Sequence, residues 1–114
     1  KSLSLAEVKT LIKNNIKPKK TVAIKDIVRI IATQYGISEE IIYEKTRRRE
    51  IVRARQVAMY ILREDFNISY PLIGQKLGGR DHTTVIHSHL KIKDDLKTDP
   101  SLLQEIEKIR IMFK

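Results

Sequence analysis

Between Leu77 and His89 the chain reads LGGRDHTTVIHSH, which sets an arginine, an aspartate, two threonines and three histidines within thirteen positions. Such residues could ligate a metal, do acid–base chemistry, form a satisfied buried cluster, or hydrogen-bond the edges of nucleic-acid bases. A metal site on one helix needs its ligands on one face, usually four residues apart. His82 and His87 are five apart, roughly 140° around a helical wheel, and His87 and His89 are two apart. No carboxylate lies four residues from any of them within that helix. Catalysis finds little support either. The chain has no serine elbow, no cysteine, no GxxxxGK phosphate loop, and no pair of carboxylates in an apolar setting that would drive two pKa values apart.

A buried cluster accounts for His89, which shares an apolar stripe with Val85 and Ile92, and an N-cap accounts for Asp81. Neither accounts for Arg80, His82, Thr83 and Thr84, which with Asp81 fill the cap and first turn and are expected to point forward and outward. A recognition helix uses that end to read the major groove of DNA. Aspartate can accept from cytosine N4, histidine can meet several base edges, and a threonine methyl packs on the thymine methyl. Thr84, one step round, suits a phosphate.

The elements needed to hold this edge are helical throughout. Ser69 caps, Pro71 sits in a first turn, and Leu72, Ile73 and Leu77 make a two-turn helix. Gly78-Gly79 turns the chain tightly, and Asp81 caps a helix with Val85, Ile86, His89 and Ile92 on one side. Two helices joined by a short glycine turn are a helix-turn-helix. Upstream, Ile51 to about Phe66 reads as a rod with two faces. Ile51, Ala54, Ala58, Ile61 and Leu62 lie on one, and Arg49, Arg53, Gln56, Tyr60 and Arg63 almost opposite. Before it come a helix bearing Ile24, Ile27, Val28, Ile31 and Tyr35 that stops at Gly36, and a short one capped by Ser38. Asp99 and Pro100 start a last helix with Leu102, Ile106, Ile109 and Phe113 inward. At the start, SLAE at Ser4–Glu7 is a capping box for a helix to about Asn15, and IKPKKT breaks it at Pro18. No segment has strand periodicity.

The net charge is +9, and it is concentrated. Residues 1–25 carry seven lysines against one glutamate, and residues 43–63 carry seven Lys and Arg against Glu44 and Glu50. A field focused on two segments points to a polyanion, nucleic acid first and anionic lipid second. Arg47, Arg48 and Arg49 fall in a loop, and flexible arginines enter the narrow minor groove of A·T-rich DNA. Arg53, Arg55, Gln56 and Arg63 follow along the helix, where they can hold phosphates and fix the register. The absence of cysteine removes disulfides and thiolate sites, and no apolar run reaches the roughly 18 residues of a membrane span. The 114 residues suit one domain with a short appendage, and Lys1 in place of an initiator methionine suggests a piece of something longer.

GGRDHTTVIHSHLKI resembles the signature of the C-terminal DNA-binding domain of the bacterial replication initiator DnaA, and RARQVAMYILRE and SYPLIGQKLGG resemble the segments before it. The similarity runs from about Val22 to Ile92, and SLSLAEVKTLIK is similar to the end of the ATPase-domain lid that precedes this domain. The resemblance implies an all-α, Trp-repressor-like helix-turn-helix bundle over residues 23–114, preceded by a lid helix at 1–16 and a basic linker at 17–22. It implies that Arg47 enters the minor groove, that Asp81, His82 and Thr83 read the major groove, and that Arg49, Arg55, Gln56, Arg63 and Thr84 hold phosphates. It also implies that the Tyr70-Pro71 turn docks on the backbone. The ligand would be duplex DNA, the short A·T-containing DnaA box of the replication origin. The domain would be a cytoplasmic, nucleoid-associated monomer and not itself an enzyme. It would need no cofactor, since ATP belongs to the preceding domain. Docking of the lysine-rich start on acidic phospholipid, or on a protein partner, is the alternative. Three positions depart from the family pattern. Ala54 replaces a common proline, so the long helix is expected to start less sharply or earlier; Glu50 brings an acid near the phosphate ligands; and Leu72 replaces a polar residue.

Overall fold

The computed structural model describes residues 23–113. The capping box at Ser4, the helix to Asn15 and the break at Pro18 lie outside them. Six helices follow one another: α1 (Ile24–Tyr35), α2 (Glu39–Tyr43), α3 (Arg49–Glu64), α4 (Tyr70–Lys76), α5 (His82–Asp95) and α6 (Pro100–Met112). The described residues contain no strand, and none of their helices is long and apolar enough to cross a membrane.

The helix ends are where local chemistry places them. Gly36 takes the left-handed conformation (φ 68) and stops α1, with the Ile37 amide donating back to the Ala32 carbonyl. Ser69 and Asp99 cap α4 and α6, accepting from the amides of Leu72 and Leu102, with Pro71 and Pro100 in the first turns. Ser38 occupies the expected position before α2, but its hydroxyl makes no capping bond. The long helix begins at Arg49, five residues before Ala54, as the missing proline allows, and ends at Glu64, two residues short of Phe66.

α3 is the axis of the bundle, touching α1, α2, α4 and α5. The expected two-faced rod is therefore only half right. Ile51, Ala54, Ala58, Ile61 and Leu62 are buried, but so are Val57 and Met59, and Tyr60 is only 6% exposed. Tyr60 belongs to the core because α5 covers that side and the His89 ring stacks on it at 5.5 Å. α5 lies across α3 and α4 with Val85, Ser88, His89 and Ile92 inward. α6 closes the far side. Its Leu102, Ile106 and Ile109 are buried, Phe113 meets Phe66 at 5.2 Å, and Arg110 grips both oxygens of Asp65 at 2.8 and 2.9 Å. The Tyr35 hydroxyl donates to Glu105 at 2.8 Å and ties α6 to α1. Burial, and then this carboxylate, push the Tyr35 phenol well above its ordinary pKa.

Candidate nucleic-acid interface

The N-terminal turn of α5 is displayed by what lies behind it. Val85, His89 and Ile92 anchor the helix in the core, so the turn that precedes them must project. Asp81, His82, Thr83 and Thr84 are all exposed. Asp81 holds an extended backbone (φ −60, ψ 142), and its carboxylate accepts from the Thr83 amide at 3.5 Å. The same oxygen lies 3.2 Å from His82 Nδ1, so the cap also steers the imidazole. Four exposed hydrogen-bonding side chains on one helix end form a polar edge fit to meet polar ligands.

The glycine turn that places this edge needs close approach as well as backbone freedom. A Cβ on Gly74 would collide with the Arg80 carbonyl, so α4 and the turn touch backbone to backbone; the Arg80 amide also donates to the Gly74 carbonyl at 2.8 Å. Gly78 has φ 91, and a Cβ there would strike both the Tyr43 carbonyl and the Arg80 guanidinium. The turn is thereby pressed against the end of α2.

Arg80 corrects one expectation. It does not point outward beside Asp81. Its guanidinium folds back, donating to the Leu77 carbonyl and, at 2.6 Å, to the Glu44 carbonyl. The carbonyls at a helix C-terminus lack partners and carry partial negative charge, which a guanidinium satisfies. Leu77 and Glu44 are the C-caps of α4 and α2.

The arginines of the basic segment divide by what they already hold. Arg47 and Arg49 are exposed, and neither has a side-chain partner among the described residues. Arg48 pairs with Glu50 at 2.7 Å, so the acid expected near the phosphate ligands is occupied by its neighbour. Arg53 reaches Asp95 on α5 at 3.4 Å. Arg55 differs most from a displayed cation, being only 8% exposed. Its Nε donates to the Ile42 carbonyl at 3.0 Å and its Nη2 to Glu44 at 2.7 Å and Thr46 at 3.5 Å, which leaves Nη1 without a protein partner among the described residues. Burial lowers its pKa, and the charge of Arg80 adds to the effect. Gln56 is half-buried.

Arg63, Tyr70 and Pro71 form a separate group at the other end of α3. That end lies roughly 24 Å from the first, because α3 has 16 residues rising about 1.5 Å each. The Arg63 guanidinium lies over the Tyr70 ring at 4.5 Å and donates to the Ile68 carbonyl at 3.3 Å. Tyr70 turns its hydroxyl inward to His89 Nδ1 at 3.3 Å, while His89 Nε2 meets Glu64 at 2.8 Å. The His89 hydrogen bond, ahead of opposing burial, holds the Glu64 carboxyl below its usual range. Pro71 is exposed, and Leu72 is 39% exposed.

One cleft brings the two most distant parts of the expected site together. Lys45, Thr46, Arg47, Val52, Arg55, Gly79, Arg80, Asp81 and Thr84 line it, so the arginine loop and the N-terminal turn of α5 form its two rims. Its floor carries two guanidiniums with no carboxylate partner among the described residues. Sequence reasoning missed Arg80 as a tie between the turn and the loop, and nothing in its spacing could have shown it, since the carbonyls it holds are 3 and 36 residues away. The Tyr70–His89–Glu64 chain was half visible in the apolar register of His89. From residue 24 to residue 92 the chain matches the family model of the bacterial dnaA protein helix-turn-helix, and with more than half its length inside that match it belongs to the family.

Proposed function

We propose that this domain, in a family that binds duplex DNA in replication initiation, recognises a DnaA box through both grooves at once. α5 enters the major groove with Asp81, His82 and Thr83 against base edges, and Arg47 enters the adjacent minor groove. Phosphates between the grooves lie over the cleft, held by Thr84 at one rim and Arg49 beyond the other, and by the unpartnered Nη1 of Arg55 at its floor. At the far end Arg63, braced on Tyr70, and the exposed Pro71 turn meet the next stretch of backbone, with Gln56 between. The His82 imidazole, whose Nδ1 lies beside Asp81, presents its other ring nitrogen outward to a base edge.

The observation that carries this reading is the shared cleft. Arg47 and Asp81 are 34 residues apart in sequence, yet they face one another across one polar, cation-floored opening. A base reader and a minor-groove arginine so placed can act on neighbouring base pairs.

The reading is tested by competition binding of a DnaA box against shuffled duplex of equal length and composition. Arg47→Ala, His82→Ala and Thr83→Ala are each expected to lower the ratio of box to shuffled affinity, by about 1–3 kcal/mol for each well-formed pairing with a base edge. An unchanged ratio in all three would remove the readout assignment.

A further inference from the structure

We propose that Arg55 and Arg80 form a two-armed clamp on the Glu44 carbonyl, and that this clamp sets the position of the Arg47 loop relative to the N-terminal turn of α5. The inference rests on the two-groove reading above and adds the device that keeps the two readers in register.

Little else holds that loop. Between the end of α2 and the start of α3, Lys45, Arg47 and Arg48 are exposed, Thr46 is half-buried, and no apolar side chain fixes the segment. Its other hydrogen bonds are local: Glu44 amide to Ile41 carbonyl, Arg48 amide to Thr46 Oγ1, the Ile51 and Val52 amides to the Arg48 carbonyl, and the Arg48 guanidinium to Glu50. Among the described residues, its hydrogen bonds to segments more than four residues away run through the two guanidiniums. Arg55 comes from the rigid axis α3 and spans the Ile42, Glu44 and Thr46 carbonyls. Arg80 comes from the helix-turn-helix turn and joins Glu44 to Leu77. Three segments distant in sequence thus meet at one oxygen. The bare Gly78, packed where a Cβ would strike the Tyr43 carbonyl, lets the turn come near enough for Arg80 to reach.

The residue type matters. A guanidinium presents five N–H groups in a fixed plane and bridges carbonyls in different directions, while a lysine ammonium keeps the charge on a flexible stem and loses the fork. Two like charges this close, neither matched by a carboxylate among the described residues, repel each other. The carbonyl dipoles hold them and leave net positive charge facing the cleft, where a polyanion would lie. The clamp therefore positions Arg47 without touching a base.

The test compares Arg80→Lys and Arg55→Lys with the parent chain, alone and combined with Arg47→Ala. In the free protein, 15N relaxation is expected to show Lys45–Arg47 amides falling from rigid to flexible order parameters, below about 0.6, while the Thr83 and Val85 amides stay rigid. In binding, Arg80→Lys is expected to lower box affinity about tenfold in the parent and by less than about twofold once Arg47 is alanine, because both changes act on the same minor-groove interaction. Equal losses in both backgrounds, or a loop that stays rigid in both lysine variants, would overturn the clamp. An Arg47→Ala chain with undiminished box preference would instead remove the two-groove reading, and the relaxation result would then decide the clamp by itself. Should Arg80→Lys unfold, Arg55→Lys gives the relaxation readout from the arm that enters from α3, and a rigid loop there would overturn the clamp.

Discussion

The salt dependence of DNA binding separates the arginines by the partners they hold in the free protein. Each phosphate neutralised by a cation releases counterions, and log affinity falls against log salt with a slope of about −0.9 per phosphate on B-DNA. Arg49 is exposed and has no side-chain partner among the described residues, so all of its charge is available. Arg53 sits 3.4 Å from Asp95, whose pKa is lowered by Lys91 first and Arg53 next, so much of its field is already spent inside the protein. Arg49→Ala should therefore make the slope shallower by about 0.9, so that a fourfold rise in salt weakens the variant about 3.5-fold less than the parent. Arg53→Ala should change the slope by well under half that amount, since Asp95 already engages its guanidinium and little of it is left for phosphate. The assay is fluorescence anisotropy on shuffled duplex, where base readout is absent, at four or more salt concentrations. If Arg53→Ala flattened the slope as much as Arg49→Ala, internal pairing would not decide which cations reach phosphate, and the assignment of roles along α3 would fail.

The packing makes the two turn glycines unequal and gives the Glu64–His89 contact a pH signature. Gly78 and Gly79 both have positive φ, at 91 and 70, but only a Cβ at Gly78 meets other atoms. Gly79→Ala should cost about 1 kcal/mol of stability, the ordinary strain of a left-handed alanine, while Gly78→Ala should cost about 3 kcal/mol or more and disturb box binding; equal urea midpoints for the two would refute the close approach. For Glu64, the folded pKa is lowered by its bond to His89, so its contribution is present above the unfolded carboxylate value of about 4.3 and is lost as pH falls through the lower folded value. Glu64→Gln should therefore cost more stability at pH 7 than at pH 3, as read by urea midpoints at both values, and an equal loss at both would remove the contribution of the carboxylate's charge.

The sequence carried the helices well because their signals are local. Stripes at Ile24–Ile31 and Leu102–Ile109, the stop at Gly36 and the caps at Ser69, Asp81 and Asp99 need only neighbours within a few residues. The displayed edge at Asp81–Thr84 was also legible, since the apolar register of Val85, His89 and Ile92 fixes which way the preceding turn must point. What failed was any inference that a polar or charged side chain on a helix surface faces water. Tyr60 lies where a helical wheel puts solvent, but α3 has neighbours on most of its sides, and a wheel shows only one helix; Arg55, four residues after Ile51, lies on the apolar side of the wheel, and there its charge was given more weight than its register. Arg80 was misplaced for a related reason. Its partners are main-chain carbonyls at two helix ends, and carbonyls have no residue type to be read.

The central claim, that one domain reads two grooves from the two rims of one cleft, is tested most directly by base-pair replacement along a bound box. An inosine·cytosine pair keeps the minor-groove pattern of A·T and presents the major-groove edge of G·C. At the pairs read by Arg47, binding should tolerate inosine·cytosine and reject G·C, and Arg47→Ala should abolish that difference. At the pairs read by Asp81, His82 and Thr83, inosine·cytosine and G·C should be rejected alike, by about 1–3 kcal/mol each, whether or not Arg47 is present. A box whose A·T pairs all reject inosine·cytosine and G·C equally would show readout through the major groove alone, and would contradict the account.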